Sequence, residues 1–307
     1  MGSHVPFSEN PTHLFENVPL APLTTWQIGG NARWLVRPRD VDELSRLLPQ
    51  WPDSLPRLIL GGGSNLLVHD RGFEGGVIDL THHLNSITLI QQDSQGGTIR
   101  AEAGAPTRKT AHFARKLGLD GLSFMAGIPG SIGGALKMNA GAYGGDMASA
   151  LKHVEVMSPD GTIHCWQAER LKLAYRSSQL PDGWLFIAAR FGLPCGDGET
   201  IRQKMRQNNA KRCAAQPLEH PSAGSVFRNP ADGAAWKLID AAGMRGYRIG
   251  DAQVSPKHSN FFVNLGQATS AQMRQVIEDV RGAVKQQSGV ELTLEVAVLE
   301  PDGQRLL

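Results

Sequence analysis

The sequence predicts an α+β fold in which strands and helices are grouped rather than strictly alternated. Strand signals crowd the middle of the chain, with short apolar or alternating runs at 87–90, 98–103, 154–157, 162–166 and 185–191. Helical periodicity stands singly around them, at 40–48, 107–117, 199–213 and 234–242. The chain then closes on its clearest helix and an alternating strand, with no β-α-β-α succession of the kind a doubly wound sheet requires.

Taken in order, residues 1–18 read as a loose leader, whose opening Met1-Gly2-Ser3-His4 resembles an expression remnant. The stretch T-T-W-Q-I-G-G-N-A at 24–32 precedes the apolar run 34–36. Asp40 is placed to cap a short helix with Val41, Leu44, Leu47 and Leu48 on one side. The runs 58–60 and 77–80 then complete a small β-α-β-β unit. Ala111, Ala114 and Leu117 line one helical face that Gly118 ends. Ser158-Pro159-Asp160-Gly161 is a turn between two hairpin strands. The segment 193–198, L-P-C-G-D-G, marks a boundary. In the last helix Thr269 and Gln272 form a capping-box pattern, Met273, Val276, Ile277, Val280 and Val284 form the apolar stripe, and Gly289 is the stop. The final strand sends Val290, Leu292, Leu294, Val296 and Val298 to one face, and so Glu291, Thr293, Glu295 and Ala297 to the other.

Two glycine-rich loops organise the chain. One is L-G-G-G-S-N-L-L-V at 60–68, leaving the apolar run 58–60. The other is G-I-P-G-S-I-G-G-A-L-K-M-N-A-G-A-Y-G-G-D at 127–146. The second is too poor in large side chains to build its own core, so its backbone freedom serves tight turns and close approach to a ligand. Successive exposed amides suit an anion such as a pyrophosphate, and two such loops suggest a diphosphate held from two sides. Neither loop has the G-x-G-x-x-G order of the dinucleotide fingerprint that opens a helix after a strand. A single loop of this kind would equally be a plain strand connection.

The 307 residues are 41% hydrophobic and 20% charged, the composition of a chain with a buried core, and the length suggests two or three domains. A net charge of +2, from 31 basic and 29 acidic residues with no basic block, argues against nucleic acid as a partner. Cys165, Cys195 and Cys213 are widely spaced, which predicts neither disulfides nor a zinc site and fits a reducing compartment. No run approaches the ~20 apolar residues of a membrane span. The expected location is the cytoplasm, with no metal and no obligate protein partner.

The motifs together resemble one family closely. T-T-W-Q-I-G-G-N-A, L-G-G-G-S-N-L-L-V, the long glycine segment, A-Y-R-S-S, P-S-A-G-S-V-F-R-N-P, V-S-P-K-H-S-N-F-F-V-N and L-T-L-E-V are similar to those of the UDP-N-acetylenolpyruvoylglucosamine reductases, in the same order, from about residue 20 to about 300. P-S-A-G-S and K-H-x-N-F resemble the shorter, type II subgroup, which lacks a substrate-covering loop and split βαββ fold of the longer form. The resemblance implies three α+β domains of the vanillyl-alcohol-oxidase-like flavoproteins: FAD-binding subdomains at 19–80 and 81–193, and a substrate domain at 194–303. It also implies non-covalent FAD, NADPH as electron donor, both ligands using one cleft in turn, and reduction of the enolpyruvyl ether of UDP-N-acetylglucosamine enolpyruvate to UDP-N-acetylmuramate for peptidoglycan.

Carried onto this chain, the resemblance implies FAD contacts from Gly61, Gly62, Gly63, Ser64, Asn65, Leu66, Gly127, Pro129, Gly130, Ser131, Gly133, Gly134, Asn139, Gly141 and Ala142. Arg176 matches the cation facing the developing enolate, a task that suits a permanently charged, two-pronged guanidinium. Ser225 matches the proton donor, a weak acid that serves when held against a carbanionic carbon. Glu295 matches the third active-site residue, orienting the enol or supporting proton delivery, with Glu291 its competitor on the same strand face. Asn229 is a substrate candidate, and Tyr175, Arg212, Gln216, Lys257, His258 and Asn260 are candidates for substrate or flavin contacts, each equally suited to a structural role.

Two rival readings are a covalent flavin oxidase, for which His69 and His112 lie only near the glycine loops, and a non-catalytic nucleotide-sugar module, which presence of the arginine, serine and glutamate disfavours. The chain departs from the family in Arg228 where lysine is common, and in Ala297 where arginine is frequent.

Overall fold

The computed structural model describes residues 11–231 and 233–306, so the remnant read at Met1–His4 and most of the expected leader lie outside the described residues. The chain forms two compact units, each discontinuous in sequence: one takes in residues up to 15, 35–62 and 77–212, and the other 16–34, 63–76 and 213 onward. Each unit thus gathers segments distant in sequence. A strand that begins inside the expected leader, Leu14–Pro19, stands at the edge of a sheet ordered Leu14–Pro19, Asn31–Val36, Phe73–Asp79, Arg57–Leu60. Its side chains are mostly exposed, so it carries no alternating pattern for a sequence reading to detect.

In the first unit a five-stranded antiparallel sheet runs Ile163–Gln167, Leu151–Met157, Leu185–Pro194, Gly96–Glu102, Ile87–Gln92. The expected hairpin is present, closing at Met157 opposite Ile163. On this sheet Glu155 receives hydrogen bonds from Arg100 Nη2 and Arg190 Nη2, both at 2.7 Å. Asp40 caps the helix Val41–Leu47 by accepting from the Glu43 amide. The helix Thr107–Lys116 buries Ala111 and Ala114 and is followed by Gly118 at φ +67°, a backbone state that favours glycine. The glycine segment contains more than turns: it holds the helix Ile132–Lys137 and a ribbon of Gly141–Ala142 with Gly145–Asp146.

In the second unit Ser222–Ser225, Phe261–Asn264, Ala252–Val254 and Arg248–Ile249 form a sheet in that order. The helix Ser270–Ser288 has the expected capping box, buried stripe and left-handed Gly289. Leu66–Val68 pairs in parallel with Ala297–Leu299, Leu67 opposite Val298. Trp26, Ile28, Leu67, Phe227, Phe262 and Met273 belong to one buried core. The Trp26 indole donates to the Phe262 carbonyl at 2.7 Å, which anchors the T-T-W-Q segment. The final strand is shorter than expected, although Leu292, Leu294, Val296 and Val298 are all buried as the alternation predicts. Ahead of Ala297 its pairing partner is the irregular segment after Ser225, through a single bridge of Phe227 to Leu294.

Candidate active site

In the first unit, Gly61 and Gly62 follow the strand Arg57–Leu60 and meet the second glycine loop, Gly61 at the Ser131 side chain and Gly62 at the Gly130 backbone. A Cβ at Gly61 would lie 2.3 Å from Ser131 Oγ, and one at Gly62 only 2.5 Å from Gly130 Cα. Gly62 meets rigid backbone and tolerates no side chain, whereas at Gly61 the obstacle is the Ser131 hydroxyl, which would have to turn away from its capping bond. Thr107, which sequence reading passed over, ties the second loop down: its amide and hydroxyl donate to Gly130 O, and the hydroxyl reaches Ile128 O at 2.5 Å. Only the hydroxyl of a buried helix-start threonine announced this. Ser131 caps the helix Ile132–Lys137 by accepting from the Gly134 amide. Gly133 packs against Ala103, where a Cβ would approach the Ala103 Cβ at 3.1 Å.

Gly134 and Gly127 differ from these. A Cβ at Gly134 would find one neighbour, Ser131 Oγ at 3.8 Å, and one at Gly127 would make ordinary contacts with Tyr143 and Arg212. Gly134 is exposed and lies inside a helix, where alanine is favoured over glycine by about 0.5–1 kcal/mol. The chain itself gives no reason for glycine there, whereas a ligand lying on that face of the loop does.

Asn139 is buried at φ +38°. Its Oδ1 accepts the Ala148 amide at 3.1 Å, and its Nδ2 donates to Asp146 at 3.4 Å and to the Ala174 carbonyl at 3.2 Å. Asn139 is thus committed to protein partners. Ala174 and Ser177 exchange two backbone hydrogen bonds around Tyr175 and Arg176, and Arg176 sits at φ +53°. This left-handed state is uncommon for a non-glycine residue and is maintained here by the turn. The Arg176 guanidinium stands 5.0 Å from the Tyr175 ring centroid, and Tyr175 is exposed. Gly141 and Ala142 form one side of the two-residue ribbon, and Pro129 is exposed.

In the second unit, Gly63 has φ +59°, and a Cβ there would lie 2.0 Å from Leu23 O, so this glycine is required by packing. Ser64 is half-buried, and Leu66 is a buried strand residue. Asn65 brackets the C-terminal strand: its Nδ2 donates to Glu295 O at 2.9 Å and its carbonyl accepts the Ala297 amide at 3.1 Å. Glu295 donates its own amide to Val226 O at 2.8 Å. The main chain of Glu295 is therefore tied to the residue that follows Ser225. Ser225 itself pairs with Phe261 at the end of its strand, beside Gly224 at φ +82°. Glu291 lies on the surface, where a hydrogen bond from Lys285, with the nearby Arg281 charge, holds its carboxyl below the usual value. Of the two acidic candidates, only Glu295 is linked to the Ser225 segment.

Asn260 lies 3% exposed, with both polar side-chain atoms committed to Phe227: Oδ1 accepts its amide at 3.0 Å and Nδ2 donates to its carbonyl at 2.8 Å. Asn229 accepts the Ala235 amide at the start of the helix Ala235–Ala241. Lys257 Nζ donates to Cys213 O at 2.7 Å. The His258 ring stands edge-on to Trp236 and Phe261, and burial pushes its pKa below the ordinary histidine value. Arg212 and Gln216 are half-buried near the end of the helix Gly198–Ala215 and just beyond it. Arg228, singled out as a departure, has a buried Nε without a hydrogen-bond partner among the described residues. Guanidinium nitrogens buried in this way are suited to an incoming anion. Among the described residues no cluster of His, Cys, Asp or Glu is placed to hold a metal, and no helix is long and apolar enough to cross a membrane.

Comparison with known proteins agrees with this arrangement. Residues 32–165 match the family model of the FAD binding domain, which defines the chain as a flavoprotein. Residues 216–299 match the C-terminal domain of UDP-N-acetylenolpyruvoylglucosamine reductase. The enzyme of that name from Magnetococcus marinus is 61% identical over 99% of this chain and 98% of its own length. Its counterpart from Gluconobacter oxydans is 42% identical over 92% of this chain and 91% of its own. The crystal structure of the Thermus caldophilus reductase superposes with a TM-score of 0.79 at 36% identity, covering 93% of this chain and 98% of that one. The chain belongs to the UDP-N-acetylenolpyruvoylglucosamine reductase family. It is an FAD-containing oxidoreductase, and the exposed, unhindered Gly134 beside the packed pair of loops fits that cofactor.

Proposed function

We propose that this chain reduces the enolpyruvyl ether of UDP-N-acetylglucosamine enolpyruvate to UDP-N-acetylmuramate, with NADPH as electron donor, in peptidoglycan precursor synthesis. The observation that carries the site assignment is the Val226 carbonyl, which binds the Glu295 amide and so couples the proposed proton donor to the proposed orienting carboxylate. FAD, when bound, would supply the hydride chemistry that links NADPH to the outer carbon of the enolpyruvyl group, and the chain's own residues would bind, orient and protonate the substrate. Arg176 faces the substrate carboxylate and stabilises the negative charge that arrives there, a charge-assisted contact made stronger in the transition state than in the ground state. Ser225 gives its hydroxyl proton to the remaining carbon. Glu295 orients the enol or supports delivery of that proton. Arg228, with its unpartnered Nε, and the exposed Lys257 are suited to anionic parts of the nucleotide sugar. Asn229, Tyr175, Arg212, Gln216 and His258 remain proposed ligand contacts. The segments 19–80 and 81–193 serve the cofactor and 194–303 the sugar, a reading supported by the two family models. One cleft serves both ligands in turn. The location is the cytoplasm, in keeping with three exposed free cysteines.

The test is NADPH consumption by FAD-loaded protein, with and without the enolpyruvyl sugar, in wild type and Ser225→Ala. Wild type should consume NADPH in a sugar-dependent way. The variant should still bleach its flavin with NADPH but return it to the oxidised state with sugar at least ~100-fold more slowly, the usual range for loss of a general acid. Equal reoxidation by both proteins would remove Ser225 from the mechanism, and NADPH consumption indifferent to the sugar would overturn the substrate.

A further inference from the structure

We infer that Asn260 is a positioning residue for the protonation step, holding Ser225 and Glu295 in register; this rests on the function proposed above. The strand Ser222–Ser225 shifts register against Phe261–Asn264 between Ser222 and Ser225, and Gly224 at φ +82° turns the chain there. The regular ladder ends at Ser225 opposite Phe261. The next two residues, Val226 and Phe227, are wholly buried, so their backbone groups need partners that the ladder no longer provides. Asn260 provides three of them. Its main-chain carbonyl accepts the Val226 amide at 2.9 Å, and its side chain engages the Phe227 amide and carbonyl at 3.0 and 2.8 Å. The carboxamide acts as a strand residue would, presenting one acceptor and one donor to a single partner.

The consequence passes to the site through one residue. The Phe227 amide, fixed by Asn260 Oδ1 at 3.0 Å, shares its peptide plane with the Val226 carbonyl, which accepts the Glu295 amide at 2.8 Å. On its other side Glu295 is held by Asn65 Nδ2 at 2.9 Å. The Val226–Phe227 peptide is therefore held between the Asn260 side chain and the Glu295 amide, one residue beyond Ser225, and Asn260 sets where it lies. The residue type follows from this task. Serine is too short to serve both Phe227 groups, and an ionised aspartate has no donor for the Phe227 carbonyl. A direct ligand role is not available to a side chain that is 3% exposed with both ends engaged.

The experiment separates the two halves of the reaction in FAD-loaded wild type, Ser225→Ala, Asn260→Asp and Asn260→Ser, and adds amide hydrogen exchange as a readout independent of turnover. Expected is near-wild-type flavin reduction by NADPH in both Asn260 variants. Reoxidation by the enolpyruvyl sugar should slow by roughly 100-fold, the scale of a misplacement of about 1 Å at a reacting centre. The amides of Val226, Phe227 and Glu295 should be protected in wild type and exchange faster in the variants. Three results would overturn the inference: sugar-driven reoxidation within threefold of wild type in Asn260→Asp, equal loss of both half-reactions, or rapid exchange of those three amides in wild type. The last needs no variant to fold. Wild-type flavin that the sugar does not reoxidise would instead overturn the proposed function, leaving the exchange result to decide the clamp by itself.

Discussion

Gly134→Ala separates what the chain needs from what its ligand needs. An alanine Cβ at this exposed helical position would touch only Ser131 Oγ, at an ordinary 3.8 Å. The backbone there is not in the left-handed region, so no conformational strain is introduced. Replacing a helix-interior glycine by alanine then stabilises the protein by about 0.5–1 kcal/mol, chiefly by restricting the unfolded chain. Cofactor-free Gly134→Ala should therefore melt at or slightly above the wild-type temperature. If the FAD lies against this face, the added methyl lowers its affinity by tenfold or more, about 1.4 kcal/mol. Flavin fluorescence titration measures the affinity, and thermal unfolding of the cofactor-free protein measures the stability. Gly133→Ala is the control, since its Cβ would meet Ala103 Cβ at 3.1 Å and Ala103 O at 3.2 Å, an overpacking expected to cost about 1–3 kcal/mol. A destabilised Gly134→Ala protein would show that the space is not there. A stabilised one with unchanged FAD affinity would show that the cofactor does not approach Gly134.

Two further outcomes follow from buried polar groups in the first unit. Burial raises the pKa of Glu155, but the hydrogen bonds and charges of Arg100 and Arg190 outweigh it and hold the carboxyl below its ordinary value of 4.5. A carboxyl depressed in the folded state contributes stability above its unfolded pKa and loses that contribution as pH falls through the folded value. Glu155→Gln should cost about 3 kcal/mol at pH 7 by chemical denaturation, with the gap to wild type closing below the ordinary carboxylate range; a gap that does not change with pH would refute the charge argument. Asn139→Ala leaves the Ala148 amide without its partner, removes one of the two hydrogen bonds at the Ala174 carbonyl, and should cost about 2 kcal/mol in a urea melt. Because Ala174 belongs to the turn that carries Arg176, the same variant should slow sugar-dependent flavin reoxidation more than flavin reduction by NADPH.

What the amino-acid order determined by itself is local. The Asp40 cap, the Thr269–Gln272 capping box, the Met273–Val284 stripe, the hairpin turn at 158–161 and the inward row Leu292–Leu294–Val296–Val298 each depend on groups a few residues apart. The resemblance of ordered motifs added the family, which the comparisons bear out. Long-range pairing was not legible. Leu14–Pro19 becomes a strand because a neighbouring strand takes its backbone hydrogen bonds, although its own side chains are mostly exposed. The resemblance implied ligand contacts at Asn65, Asn139 and Asn260, and the sequence alone carried no sign of their protein partners. The fold commits Asn65 to Glu295, 230 positions away, and Asn260 to Phe227, 33 positions away. A carboxamide accepts and donates equally well to a ligand or to a buried peptide group, so only the tertiary structure decides which of them it meets.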